Sequence, residues 1–200
     1  PKIVELSDNR VDLIFEIIEG RITEVEKITF TGNRIFSDFR LKGVISTKQA
    51  GIFRRFINSD TYAEDKLNYD TELLQNFYIN KGYIDFELDS SVELTRKKDA
   101  FLINHSIKEG QQYNYSEINF DISDVNIDNK SLIKLNRIKS GSVFDRRRIP
   151  KLLEEIDIYL TKNGINFIEP VPIINRNDTE LTMDVIIQLQ KTKKIFVERI

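Results

Sequence analysis

His105 is the only histidine among the 200 residues, and there is no cysteine. Nucleophilic catalysis needs a base held beside a hydroxyl or thiol. A structural or catalytic zinc needs three or four nitrogen, sulfur or carboxylate ligands. One histidine without cysteine serves neither purpose well, and its place in an alternating apolar run marks it as a packed strand residue. The missing cysteines also exclude disulfides. Asp89, Ser90 and Ser91 combine acid and hydroxyl groups, but they lie in another alternating run, far from any Gly-x-Ser-x-Gly elbow. The acids of FDISDVNIDN, Asp121, Asp124 and Asp128, lack the spacing and the glycine of a calcium loop. Gly32-Asn33 after a strand reads as a turn rather than a phosphate-binding loop. The expectation is a chain that is not an enzyme and holds no metal or cofactor.

Three stretches carry binding chemistry instead. Ile84, Asp85, Phe86, Glu87, Leu88, Asp89 and Ser90 alternate in polarity up to Val92. A strand of this kind at a sheet edge offers unpaired N–H and C=O groups to which an extended peptide can add. Its charges can equally serve only to discourage aggregation. Residues 165–173 form a second candidate edge, blunted by Pro170 and Pro172. GIFRRFINSD places Arg54 and Arg55 between Phe53 and Phe56. Arginine interleaved with aromatics suits protein docking or stacking on nucleic acid; alternatively, core aromatics carry solvated arginines there. The triplet in DRRRIP, residues 145–150, stands at a helix start, where positive charge is disfavoured by the dipole; it reads as a solvated face.

Something must position these stretches, and the chain repeats itself in doing so. Residues 11–30, 101–120 and 183–200 align without gaps at offsets of 90 and 82. Gly20 then meets Gly110, and Ile28 meets Ile118 and Ile200. Each segment holds two runs of period two, the mark of half-buried strands, around a polar turn. Between the segments lie two helices per unit. Ser37 is the expected cap of one short helix and Asp128 or Asn129 of the other. Leu67, Leu74, Phe77 and Tyr78 form one apolar face of a longer helix stopped by Gly82. Ile149, Leu153, Ile156 and Leu160 do the same before Gly164, with Asp145 as a candidate cap. Gly20, Gly32, Gly82, Gly110, Gly141 and Gly164 are the expected turn positions.

The fold class is therefore α+β: tandem β-α-α-β-β units, each a small three-stranded mixed sheet covered on one face by two helices. Residues 1–20 read as the end of a preceding repeat, 21–110 and 111–192 as two whole repeats, and 193–200 as the start of another. Pro1-Lys2-Ile3-Val4-Glu5 reads as the interior of a longer chain, which leaves room outside it for an export signal or anchor. Apolar content of 40% and charged content of 31% suit a folded chain. The net charge of −2 supplies no field to gather nucleic acid.

NRVDLIFEIIEG, ITFTGNRIF, LQNFYINKGYIDFEL, IKSGSVFD and KNGINF resemble the polypeptide-transport-associated (POTRA) repeats of outer-membrane protein assembly factors. The resemblance runs over essentially the whole chain, with 21–110 resembling a third repeat and 111–192 a fourth. Two places depart from the usual pattern: AGIFRRF at 50–56, and Gly164-Ile165, where the family often has Gly-Tyr. The resemblance implies a periplasmic arm of a Gram-negative outer-membrane protein that carries its own C-terminal β-barrel. Its partners would be unfolded outer-membrane proteins, bound by strand addition, and accessory lipoproteins, with no nucleic acid. The POTRA arm of another translocation pore stands beside this reading, as does, from a different class, an α+β nucleic-acid module.

Overall fold

The computed structural model describes residues 2–6, 10–15, 24–50, 62–97, 100–123, 125 and 127–192. Strands β1 (Lys2–Leu6) and β2 (Arg10–Ile14) pair antiparallel. The first complete unit follows as β3 (Glu24–Thr31), α1 (Asp38–Val44), α2 (Glu64–Ile79), β4 (Glu87–Leu94) and β5 (Ala100–Lys108). The second runs β6 (Asn114–Asp121), α3 (Asn129–Leu135), α4 (Arg148–Lys162), β7 (Ile168–Asn177) and β8 (Thr182–Lys191). Both units have the expected order and the expected mixed sheet. Gly20 lies outside the described residues.

The sheets are ordered β3-β5-β4 and β6-β8-β7. The connections explain why. A short turn joins β4 to β5 and β7 to β8, so each of these pairs is antiparallel. The two-helix crossover leads into β4 or β7, which runs opposite to the first strand, and the turn back then lays β5 parallel beside β3 and β8 parallel beside β6. The last strand is thereby central, with β3 and β4 at the edges of one sheet and β6 and β7 at the edges of the other.

Alternation then selects the faces. Val185, Ile187 and Leu189 of β8 turn toward the helices, as do Ile103 and Ile107 of β5. In the first unit Leu41, Leu74 and Tyr78 close the core from the helix side. In the second, Leu132, Ile149, Leu152, Ile156 and Leu160 do so. Ser37 caps α1 by accepting from the Arg40 N–H at 3.4 Å, and Asp128 caps α3 by accepting from Lys130 N–H at 3.1 Å.

Three sequence-based expectations need correction. Asp145 does not cap α4; the helix begins at Arg148, and the Asp145 carboxylate instead accepts from the Arg147 N–H in the preceding turn at 3.1 Å. The first edge strand starts at Glu87 rather than Ile84, because the chain is still turning inward through Phe86. The second spans 168–177 rather than 165–173. Gly32, Gly82, Gly110, Gly141 and Gly164 all take positive φ. At Gly32 the requirement is also steric, since a Cβ would sit 2.0 Å from the Ile107 carbonyl oxygen.

Candidate binding edges and the joint between repeats

The phase of the β4 edge follows from one hydrogen bond. Thr95 N–H donates to the Ala100 carbonyl at 2.9 Å, so Thr95 faces β5. In an antiparallel strand the direction of the backbone groups alternates. The N–H and C=O groups of Leu88, Ser90, Val92 and Leu94 therefore point away from β5, along a side where no other strand pairs among the described residues. The side chains alternate as well. Glu87, Asp89, Ser91 and Glu93 are exposed on the open face of the sheet, while Leu88, Ser90 and Val92 are half-buried on the helix side. Glu87 pairs with Lys108 at 3.0 Å.

The rest of the expected edge is spent on other contacts. Phe86 is buried and stacks on Tyr78 with ring centroids 4.2 Å apart. Ile84 packs against the core of the second unit. The Asp85 carboxylate accepts from the two terminal guanidinium nitrogens of Arg176, Nη1 and Nη2, at 2.5 and 2.8 Å. Available strand positions thus begin at Glu87.

Those contacts build a joint. Arg176 is also ion-paired with Asp178 and lies 4.8 Å over the Tyr113 ring. Tyr113 donates its hydroxyl to Asp178 at 2.7 Å, which pushes the phenol up from its ordinary value, with burial adding to the shift. The Tyr113 N–H donates to the Gly82 carbonyl at 2.8 Å. Gly82 is required there: a Cβ would stand 2.6 Å from the Tyr113 carbonyl oxygen.

On β7, an unbroken register across Pro170 and Pro172 requires positions whose nitrogen points away from β8, because proline has no N–H to give the ladder. That is the phase β4 shows at the equivalent Leu88 and Ser90. The outward N–H groups of β7 are therefore those of Ile168, Ile174 and Arg176.

Two buried acids went unread in the sequence. Glu109 accepts from the N–H groups of Arg34 (2.9 Å) and Ile35 (3.0 Å) and from the Tyr78 hydroxyl (2.9 Å). Burial, reinforced by this carboxylate, holds Tyr78 far above its ordinary value, so it remains a donor. Glutamate precedes the glycine at both aligned turns, Glu19-Gly20 and Glu109-Gly110, and this recurring Glu-Gly was the available signal, which reads only as a turn. Asp70 is fully buried and accepts from Ser46 N–H (2.6 Å), Ser46 hydroxyl (2.7 Å) and Thr47 N–H (3.1 Å). An acid on the apolar face between Leu67 and Leu74 was its signal.

The remaining candidates are accounted for locally or fall elsewhere. His105 is 1% exposed, stacked on Phe30 at 5.1 Å and bonded through Nδ1 to the Ser90 hydroxyl at 2.8 Å. Burial lowers its basicity, with Asp70 pulling the other way. Arg147 is paired with Asp145, and Arg148 donates to the Arg137 carbonyl at 2.9 Å. Asp121 accepts from the Ser123 N–H at 3.1 Å. Phe53, Arg54, Arg55, Phe56 and Asp124 lie outside the described residues. Among the described residues, no cluster of three or more His, Cys, Asp or Glu is placed to hold a metal ion.

Residues 23–110 match the family described as "POTRA: Surface antigen variable number repeat". The whole chain aligns with outer membrane protein assembly factor BamA of Neisseria meningitidis serogroup B at 28% identity over 205 residues, and with BamA of Neorickettsia risticii at 29% over 199. It spans about a quarter of their length, 25% and 27% respectively. POTRA3-5 of Haemophilus influenzae BamA superposes with a TM-score of 0.58 at 16% identity, over 84% of this chain and 66% of that one. POTRA1-2 of the periplasmic domain of Omp85 from Anabaena superposes with a TM-score of 0.52 at 12% identity, over 89% of this chain and 100% of that one. These structural likenesses concern the fold. Residues 23–110 thus match the POTRA family model, and the chain as a whole is similar in sequence to BamA and shares the fold of its POTRA repeats.

Proposed function

We propose that these repeats are part of the periplasmic arm of an outer-membrane protein assembly factor, a scaffold rather than an enzyme. In this reading the arm precedes a C-terminal β-barrel, 21–110 is a third-like repeat and 111–192 a fourth-like one. Segments of unfolded outer-membrane proteins add as a new strand to β4, and accessory lipoproteins dock on other faces, with the 53–56 loop as a candidate contact. The observation that carries the proposal is the row of outward backbone groups at Leu88, Ser90, Val92 and Leu94 on an edge with no neighbouring strand among the described residues. Main-chain pairing is indifferent to most side chains, which suits a surface that must take many clients. The end-to-end similarity to BamA supports the setting.

The test is photo-cross-linking in cells, in the full-length protein. The probe goes at Ser91, exposed on β4, with exposed Ile133 on α3 as the helix control. Expected are adducts with unfolded outer-membrane proteins at Ser91 and not at Ile133, reduced by Leu94→Pro, which deletes one outward N–H. No adducts at Ser91 would remove β4 from the client path and leave these repeats as spacers.

A further inference from the structure

The edges of the two sheets meet at the joint. Arg176 is the penultimate residue of β7, and Asp85 stands two residues before β4. The paired side chains bring the end of one edge strand to the start of the other. The chain senses agree as well. A peptide running antiparallel to β4 travels from Leu94 toward Glu87 and reaches the joint. If it continues along β7 it meets Asn177 first and again runs antiparallel. This holds at any angle between the sheets, because it depends only on which strand ends meet.

The prolines reinforce the point. They remove outward donors at 170 and 172, so the part of β7 that retains consecutive outward N–H groups is Ile174 and Arg176, the end beside β4. We propose that the Arg176–Asp85 joint fuses the outer edges of β4 and β7 into one composite edge that a single extended polypeptide segment occupies across both repeats. The inference rests on the strand-addition reading above and adds the length and pattern of the client.

Length follows from the strands: seven residues opposite Leu88–Leu94, three opposite Ile174–Arg176 and about three across the joint, so roughly 13 residues. Pattern follows from the faces. Glu87, Asp89 and Glu93 line the open side of β4 and call for basic or polar partners. Leu88, Val92, Leu94 and Ile174 line the helix side and call for apolar ones. The fitting occupant is an amphipathic segment with period two, the pattern of membrane β-barrel strands.

The experiment uses the 200-residue chain and two synthetic peptides of alternating Lys/Thr and Val/Leu, 7 and 13 residues long. Linking two weak contacts makes the second intramolecular, so the longer peptide is expected to bind at least tenfold tighter. With photo-reactive groups at both ends, one 13-residue peptide should yield adducts at Ser91 and at exposed Asn175 together. Arg176→Gln should bring the long peptide to within twofold of the short one, leave the short one unchanged, and leave hydrogen exchange in both cores unaltered. Arg176→Lys should restore part of the advantage. Failure of both peptides to bind would sink strand addition itself. Equal binding of the two lengths would overturn the composite edge while strand addition stands. An advantage that survives Arg176→Gln would overturn the role given to the joint.

Discussion

The two repeats share a backbone plan but stabilise it differently. The first buries Thr47, Asp70, His105 and Glu109 within its core, whereas the second buries no polar or charged side chain among the described residues. The alignment pairs them one by one. Asp70 corresponds to Leu152, Thr47 to Ile138, His105 to Ile187, its partner Ser90 to Pro172, and the Tyr78–Glu109 pair to Leu160 and Lys191. The connection between the helices explains the largest of these differences. Residues 45–63 separate α1 from α2, but only 136–147 separate α3 from α4. In the short connection the Asn136 side chain satisfies Ile138 N–H locally at 2.9 Å. In the long one, an acceptor reaches out from the helix to hold Ser46 and Thr47. A core can thus trade an apolar contact for a polar bracket, provided every buried donor still finds an acceptor.

Breaking that bracket should have the largest effect. Asp70→Leu installs the residue of the second repeat but leaves two backbone N–H groups and a hydroxyl without their acceptor. Each buried orphan costs ~1–3 kcal/mol, so the three together are expected to cost at least about 3 kcal/mol. Native-state hydrogen exchange should show α2 losing protection while α4 keeps it. Equal loss in both helices would mean that the repeats unfold together and the local reading is wrong. Glu109→Gln comes next. An amide keeps one acceptor oxygen but turns an N–H₂ toward donors from Arg34, Ile35 and Tyr78. About 1–3 kcal/mol should be lost from the first repeat, read as a lower denaturation midpoint, while Lys191→Gln at the corresponding place changes little.

Acid should separate the repeats as well. The basicity of His105 is lowered in the fold, so the folded state binds fewer protons than the unfolded one just below the ordinary histidine value of about 6.5. Its contribution is constant above that pH and falls as pH drops through it, by at most ~1.4 kcal/mol per unit. The second repeat has no histidine. Its lowered carboxylates, Asp121, Asp145 and Asp178, lose their contribution only as pH falls below about 4. Melting followed at pH 7 and pH 5 should therefore shift the first repeat and spare the second. Ser90→Val with His105→Ile should remove the shift, and a shift that persists would assign the acid sensitivity to another group.

How much of this could be read beforehand depended on whether the signal was local. The repeat was legible because strand alternation and helix faces are written in neighbouring residues, as at Ile28 and Phe30 or Ile156 and Leu160. The edge strand was begun three residues early because Ile84 and Phe86 continue its alternation while their side chains serve two cores. Asp70 and Glu109 carried visible signals, an acid on an apolar face and a recurring Glu-Gly, yet their roles depend on backbone N–H groups that no pattern of side chains displays. The Asp85–Arg176 pair spans 91 residues and two folded units, so only the joint brings it together.

Where both repeats use the same device, the comparison predicts the same cost, and this is its smallest and sharpest check. Ser37 and Asp128 occupy equivalent places at the start of α1 and α3, each accepting from a first-turn N–H. Replacing a cap by alanine costs ~0.5–2 kcal/mol. The longer contact at Ser37, 3.4 Å against 3.1 Å at Asp128, sets it at the low end. Asp128 adds a negative charge beside the positive end of the helix, typically 0.3–1 kcal/mol at low salt. Asp128→Ala should therefore cost slightly more than Ser37→Ala, and the gap should narrow when salt is raised, since only the charge term is screened. A gap that ignores salt would locate the difference in hydrogen-bond geometry. A first-repeat cap costing much more than the second would show that α1 leans on its cap because the long connection behind it supports it poorly.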